Sequence, residues 1–275
     1  MTRSHPCSFF LAVLLAVGLG ACVDEESRPI TAPQLSVVDL DAGPAEDFRV
    51  YTQNMWLGGE TGPLFSLPLT DPNRFGDVIQ AVNVFWAQVR NSDVPGRAVE
   101  FVDEIEKTLP HVVGLQEATG YATGDLDLGT FSFTPTAPGP DLLGSVMQEL
   151  AARGLPYEIG MMQPTTAVAL PLGPPDVSGV APALGVQDRV VMLVHRDAEI
   201  VHRGRGVFTA RIPLAPGIDI LRGWVRVTME RNGTPYHFIA THLEGQGDGP
   251  GSFQRQIHNA QADQLLDVVV AGLGG

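Results

Sequence analysis

Three polar side chains stand where apolar patterns of the chain end, and their chemistries complement one another. Asn54 lies near the end of the alternating segment Phe48 to Trp56, Glu117 closes the apolar run that begins at His111, and His242 follows directly on Tyr236 to Thr241. A carboxylate beside an amide oxygen is a hard-oxygen set, suited to Mg²⁺ and also to Mn²⁺ or Ca²⁺. An imidazole nearby can donate a hydrogen bond to a phosphoryl oxygen as charge builds on it. Each residue alone has a plainer reading. A strand-end Asn forms turns, a Glu after a buried strand is solvated or caps a helix, and most histidines in a chain with 7 are structural. Arg222, just before Gly223-Trp224, adds a cation that could reach a phosphate or pair with one of the 31 acidic residues.

Strands and helices must bring these residues together. Phe48 to Trp56 alternates apolar and polar residues ahead of Gly58-Gly59, which predicts a strand running into a loop. Asp77 to Val89 and Gly96 to Leu109 space their apolar residues at three and four, predicting amphipathic helices, the second closed by Pro110. His111 to Glu117 reads as a buried strand, Pro140 to Gly154 as a helix and Tyr157 to Met162 as a strand. The loop from Gly120 to Pro140 and the Pro- and Gly-rich stretch from Gln163 to Gln187 are expected to hold little regular structure and to shape a pocket. Further strands are expected over Asp188 to His195, Glu199 to Phe208, Gly223 to Glu230 and Tyr236 to Thr241, and a last helix over Ser252 to Val270. Strands joined sometimes by helices and sometimes by short turns predict a mixed sheet system. Polar strand ends at the carboxyl edge of such a sheet are where sites form.

Composition narrows the partners. The chain has 275 residues, is 44% hydrophobic and 17% charged, and so can build a core large enough to offset the entropy of ordering. Its net charge is −14 and Lys107 is its single lysine, which argues against a general polyanion binder. Cys7 and Cys22 are its 2 cysteines, too few for a disulfide framework or a cysteine-rich metal site. Residues 1–21 read as an export signal: Phe9 to Gly20 is an apolar run of about a dozen residues, short of the roughly 20 that span a bilayer. Its Leu19-Gly20-Ala21-Cys22 end resembles a bacterial lipobox, which implies lipidation of Cys22 and a membrane anchor. Residues 22–47, acidic and with Pro29, Pro33 and Pro44, read as a tether, and residues 48–275 as the folded domain.

In order along the chain, Thr52-Gln53-Asn54-Met55-Trp56-Leu57-Gly58, Pro110 to Glu117, Asp188 to Leu193, Ala240-Thr241-His242-Leu243-Glu244 and Gln261 to Leu265 resemble motifs of the endonuclease/exonuclease/phosphatase superfamily. The long loop after Asn54, followed by two helices, looks like a secreted bacterial branch of it. The resemblance implies a four-layered α/β/β/α sandwich of two mixed β-sheets with a metal-dependent phosphoester hydrolase site at one end. It further implies Glu117 as the main ligand of Mg²⁺ (or Mn²⁺ or Ca²⁺), Asn54 assisting at the metal or its water, and His242 binding and polarising the scissile phosphate. Asp188 and Gln261 match superfamily positions too, and structural roles are expected for both. The superfamily's Gly-Asp-Phe-Asn and Ser-Asp-His motifs have no match before Gly275. The expectation is therefore a truncated member, its C-terminal strands missing, that hydrolyses phosphoesters in its longer parent and turns over little by itself.

Phospholipid headgroups, nucleic acid and small phosphate esters all remain open as substrates, acted on by an expected monomer exported and held at the bacterial membrane or cell surface. The competing class is a non-catalytic surface lipoprotein, or inactive remnant, that uses the same fold to bind. A serine hydrolase finds no support, since the chain lacks a Gly-x-Ser-x-Gly elbow.

Overall fold

The computed structural model describes residues 48–67, 71–215, 218–245, 247 and 251–270. The expected export signal (1–21) and tether (22–47), with Cys22, lie outside the described residues. In chain order the elements are β1 (Val50–Asn54), α1 (Gly62–Phe65), α2 (Phe75–Asn91), α3 (Val94–Thr108), β2 (Val112–Gln116), β3 (Gly120–Asp127), β4 (Ser132–Asp141), α4 (Leu142–Ala152), β5 (Tyr157–Pro171), β6 (Val180–His195), β7 (Ile200–Val207), β8 (Ile212–Ala215), β9 (Ile218–Ile220), β10 (Gly223–Arg231), β11 (Thr234–His242) and α5 (Phe253–Gln264). Among these, no helix is long and apolar enough to cross a membrane.

The long strand β6 organises a six-stranded mixed sheet. One edge of β6 pairs with β5; the other pairs first with β3 and then, from Val191 to Val194, with β2. β4 extends the sheet beyond β3, and β1 runs parallel to β2 at the opposite end. A three-stranded antiparallel sheet, in the order β11-β10-β7, packs face to face with it.

Alternation along β6 explains the packing. Val190, Met192 and Val194 point to the smaller sheet and meet Val225, Val227, Met229 and Ala240. Val191 and Leu193 point the other way and join Val113 and Leu115 under α3 and α4. Both faces are covered, which is why these strands read as near-continuous apolar runs. Leu193→Ala is therefore expected to cost about 2–5 kcal/mol of unfolding free energy, because the close-packed layer cannot collapse around the void. Chemical denaturation measures it, and a cost near zero would contradict this placement of the core.

The helices follow their apolar stripes. Val78, Val82, Phe85 and Val89 of α2 pack near Tyr121 and Leu184, and Ala98, Phe101, Val102 and Ile105 of α3 face the sheet. Asp93 starts α3 by accepting a hydrogen bond from the Gly96 N–H, and Asp141 does the same for α4 through Gly144. The last helix is regular to Gln264 and widens into π-helical turns over Leu265–Val270.

Three expectations change. The Gly120 to Pro140 loop is the β3–β4 hairpin, and most of the Gln163 to Gln187 stretch lies in β5 and β6. Their prolines mislead because β4 and β5 are edge strands: Pro135, Pro138, Pro164 and Pro171 sit where a missing N–H leaves no second neighbour unpaired. The register also shifts between Pro164 and Ala167, absorbing the break. The fold is an α/β sandwich with two facing sheets and helices outside the larger one. The smaller sheet is antiparallel over its described strands rather than mixed. After β11, α5 is tied back by Gln261 and Gln264 to Ala210 and Thr209.

Candidate active site

Parallel pairing of β1 with β2 sets Asn54 opposite Gln116, so Asn54 and Glu117 emerge from the same sheet edge. β11 ends at His242, paired with Gly223, and delivers the imidazole to that edge from the smaller sheet. Asn54 Nδ2 donates to Glu117 Oε1 at 3.0 Å, and His242 Nε2 lies 3.7 Å from the same oxygen. Asn54 and His242, far apart in sequence, thus converge on the Glu117 carboxylate.

The backbone holds Glu117 in an unfavourable conformation. Its φ is +55°, in the left-handed region that a Cβ disfavours, and Trp56 across from it has φ +57°. Such strain persists only where the surroundings fix it. Here Met55 N donates to Gln116 O, Ala118 N to Arg189 O and Leu57 N to Glu117 Oε2. Arg97 of α3 donates to the carbonyls of Met55 and Trp56 and lies over the Trp56 ring at 5.0 Å, while the Tyr121 hydroxyl donates to Leu57 O. The Trp56 N–H donates to Asn54 Oδ1 at 2.8 Å, and this is what turns the amide nitrogen of Asn54 toward Glu117.

Arg222 lies within the site and is paired, as the second of its sequence readings expected. Its Nε donates to Glu244 Oε2 at 3.1 Å, its Nη1 donates to His242 Nδ1 at 3.1 Å, and Nη1 stands 3.8 Å from Asp188 Oδ2. Burial, reinforced by the Arg222 charge, pushes the His242 pKa down to about 3, so the ring is neutral near pH 7. Asp188 is buried and accepts from the hydroxyls of Thr119 and Thr165 at 3.1 and 3.2 Å. Burial pushes its pKa up, with Arg222 opposing. Gln261, fully buried, accepts from Glu244 N and donates to Ala210 O, a structural duty.

The sequence reading assigned no role to Glu244, Thr119 or Thr165. Glu244 carried a signal, standing two residues after His242; the threonines carried none.

Glu117, Asp188, Arg222 and Glu244 form the polar side of a cavity of about 380 Å³, with Leu57, Leu67, Val186, Ile212, Leu214 and Ile220 on the apolar side. A roomier hollow of about 630 Å³ opens at the opposite ends of β1 and β2, around Phe48, His111 and His195, away from these groups. Among the described residues no three His, Cys, Asp or Glu side chains form a ready-made metal cage. The Glu117 carboxylate still suits a Mg²⁺-type ion, which usually takes one or two carboxylates and fills its shell with water and substrate oxygens. Asn54 turns its NH2 to that carboxylate and its oxygen to the Trp56 N–H, so it presents a donor there rather than an oxygen ligand. Each Glu117 oxygen accepts one of the hydrogen bonds above, and a carboxylate has room for about four.

No family model and no curated protein matches the chain. Solved structures do. A β-hairpin deletion mutant of beta toxin from Staphylococcus aureus is 15% identical, with 83% of this chain and 62% of that chain covered at a TM-score of 0.44. TDP2 of D. rerio, solved with a single-strand DNA product, is 10% identical, with 80% of this chain and 55% of that chain covered at 0.33. This chain spans roughly three-fifths of the solved chains it matches, and the matches include an endonuclease/exonuclease/phosphatase family protein from Leptotrichia buccalis, 8% identical, with 81% of this chain and 61% of that chain covered at 0.35.

Proposed function

We propose that this chain carries the site of a divalent-metal-dependent phosphoester hydrolase, a reading that rests on the convergence of Asn54, Glu117 and His242 at one sheet edge. Glu117 would hold the cation, and Asn54 would assist by donating from its amide nitrogen to a metal-bound water rather than by supplying an oxygen ligand. A bound cation of this kind polarises a phosphoryl oxygen and makes bound water a better nucleophile. Asn54 also locks the Glu117 carboxylate by its amide nitrogen, and the neutral His242 ring donates to the phosphoryl oxygen as charge develops.

For substrate, the apolar wall of the cavity and the charge of −14 favour a phospholipid headgroup or a small phosphate ester over nucleic acid. We further propose that a lipid on Cys22 holds a monomeric protein at the bacterial membrane or cell surface, where a phospholipid substrate is at hand. A second reading is binding without turnover by the same fold, since fold does not fix function.

Thermal melts in Mg²⁺ and in EDTA, paired with hydrolysis of bis(p-nitrophenyl) phosphate, separate the two. Metal at about a hundred times its Kd should raise the unfolding free energy by roughly 2.7 kcal/mol and support turnover. Identical melts with no turnover would leave only the binding reading.

A further inference from the structure

We infer that Arg222 is a positioning residue that fixes His242 as the tautomer carrying its hydrogen on Nε2. The use of that hydrogen rests on the hydrolase reading; its presence does not. A guanidinium has donors and no acceptor, so Nη1 at 3.1 Å from Nδ1 requires a lone pair on that ring nitrogen. In a neutral imidazole the single hydrogen then belongs to Nε2, the atom 3.7 Å from Glu117 Oε1.

The guanidinium is clamped. Glu244 Oε2 accepts from Nε, and the Glu244 main chain is itself gripped through its N–H by the buried Gln261. On the other side Asp188, held by Thr119 and Thr165, faces Nη1. The Asp188 contact also shows what Arg222 prevents. Asp188 Oδ2 lies 4.0 Å from His242 Nδ1, and without Arg222 this carboxylate is the acceptor that would draw the hydrogen onto Nδ1. Nε2 would then turn a lone pair toward the Glu117 carboxylate and have nothing to donate.

The test is a long-range ¹H–¹⁵N correlation spectrum of histidine-labelled protein near pH 7.5 in EDTA, with kinetics on bis(p-nitrophenyl) phosphate in Mg²⁺. In the wild type, His242 is expected to show a protonated Nε2 and a bare Nδ1. Arg222→Met should move the hydrogen to Nδ1 and lower kcat about a hundredfold, with KM changed less than about threefold. Arg222→Lys, which keeps a donor, should restore the tautomer and most of kcat. A wild-type spectrum with Nδ1 protonated overturns the inference, even if Arg222→Met fails to fold. An Arg222→Met variant that keeps the tautomer and raises KM also overturns it, making Arg222 a phosphate-binding group. The expected tautomers without turnover in the wild type would uphold the positioning and count against the hydrolase reading alone.

Discussion

Glu117→Gln is expected to lower Mg²⁺-dependent phosphoester hydrolysis about a thousandfold or more in kcat while moving the unfolding midpoint little. The substitution removes the negative charge that would hold the cation, and with it several kcal/mol of charge stabilisation in the transition state; about 4 kcal/mol corresponds to three powers of ten. The fold should register a smaller change. A glutamine oxygen can still accept from Leu57 N, but its amide nitrogen then faces Asn54 Nδ2, donor against donor. Asn54 cannot turn over to relieve this, because its oxygen is committed to the Trp56 N–H. The net loss is one hydrogen bond, about 1 kcal/mol. Activity with and without Mg²⁺, alongside circular-dichroism melts, checks both halves. Undiminished Mg²⁺-dependent turnover would remove Glu117 from the metal. A collapse of the fold would mean that the carboxylate is structural, and Glu117→Asp would then show whether charge without reach rescues stability.

The parts of the fold legible in sequence are those where one local pattern decides. Val191, Met192 and Leu193 are apolar in succession because both faces of β6 are covered, and α2 and α3 show stripes because each has one buried face. The misread segments depend on neighbours. Pro164 and Pro171 read as loop formers, and only the edge position of β5 makes them strand residues. Nothing local signals that β8 and β9 pair as a ribbon beside the cavity. The same division holds at the site. Asn54, Glu117 and His242 could be picked out because each ends an apolar run at a strand end. The left-handed backbone at Glu117 and Trp56 could not, nor could the roles of Thr119, Thr165 and Glu244. Those roles exist only once β5, β6, β10 and α5 have brought Asp188, Arg222 and Gln261 into contact with them.

His242→Gln is expected to reduce kcat by about a hundredfold to a thousandfold, the loss typical of one preorganised donor to a developing oxyanion. It should also change how stability depends on pH. The folded ring titrates at about 3, depressed by burial and then by Arg222, whereas a free imidazole titrates at 6.5. Between those values the unfolded chain holds a proton on this residue and the folded protein does not, so acid favours unfolding. The stability contributed by the neutral ring is complete above pH 6.5 and is lost progressively as the pH falls toward 3. Glutamine takes no proton, so in EDTA the variant's melting temperature should fall less steeply across that window than the wild type's. Equal slopes would mean that the ring protonates in the folded state as readily as in the unfolded one. The rate profile gives a separate check. A ring that stays neutral down to pH 3 cannot set an acid limb between pH 4 and 6.5, so the residual activity of His242→Gln should keep the wild type's acid limb in place. A limb that disappears with the imidazole would assign the titrating group to His242 and make it an acid or base in the reaction rather than a fixed donor.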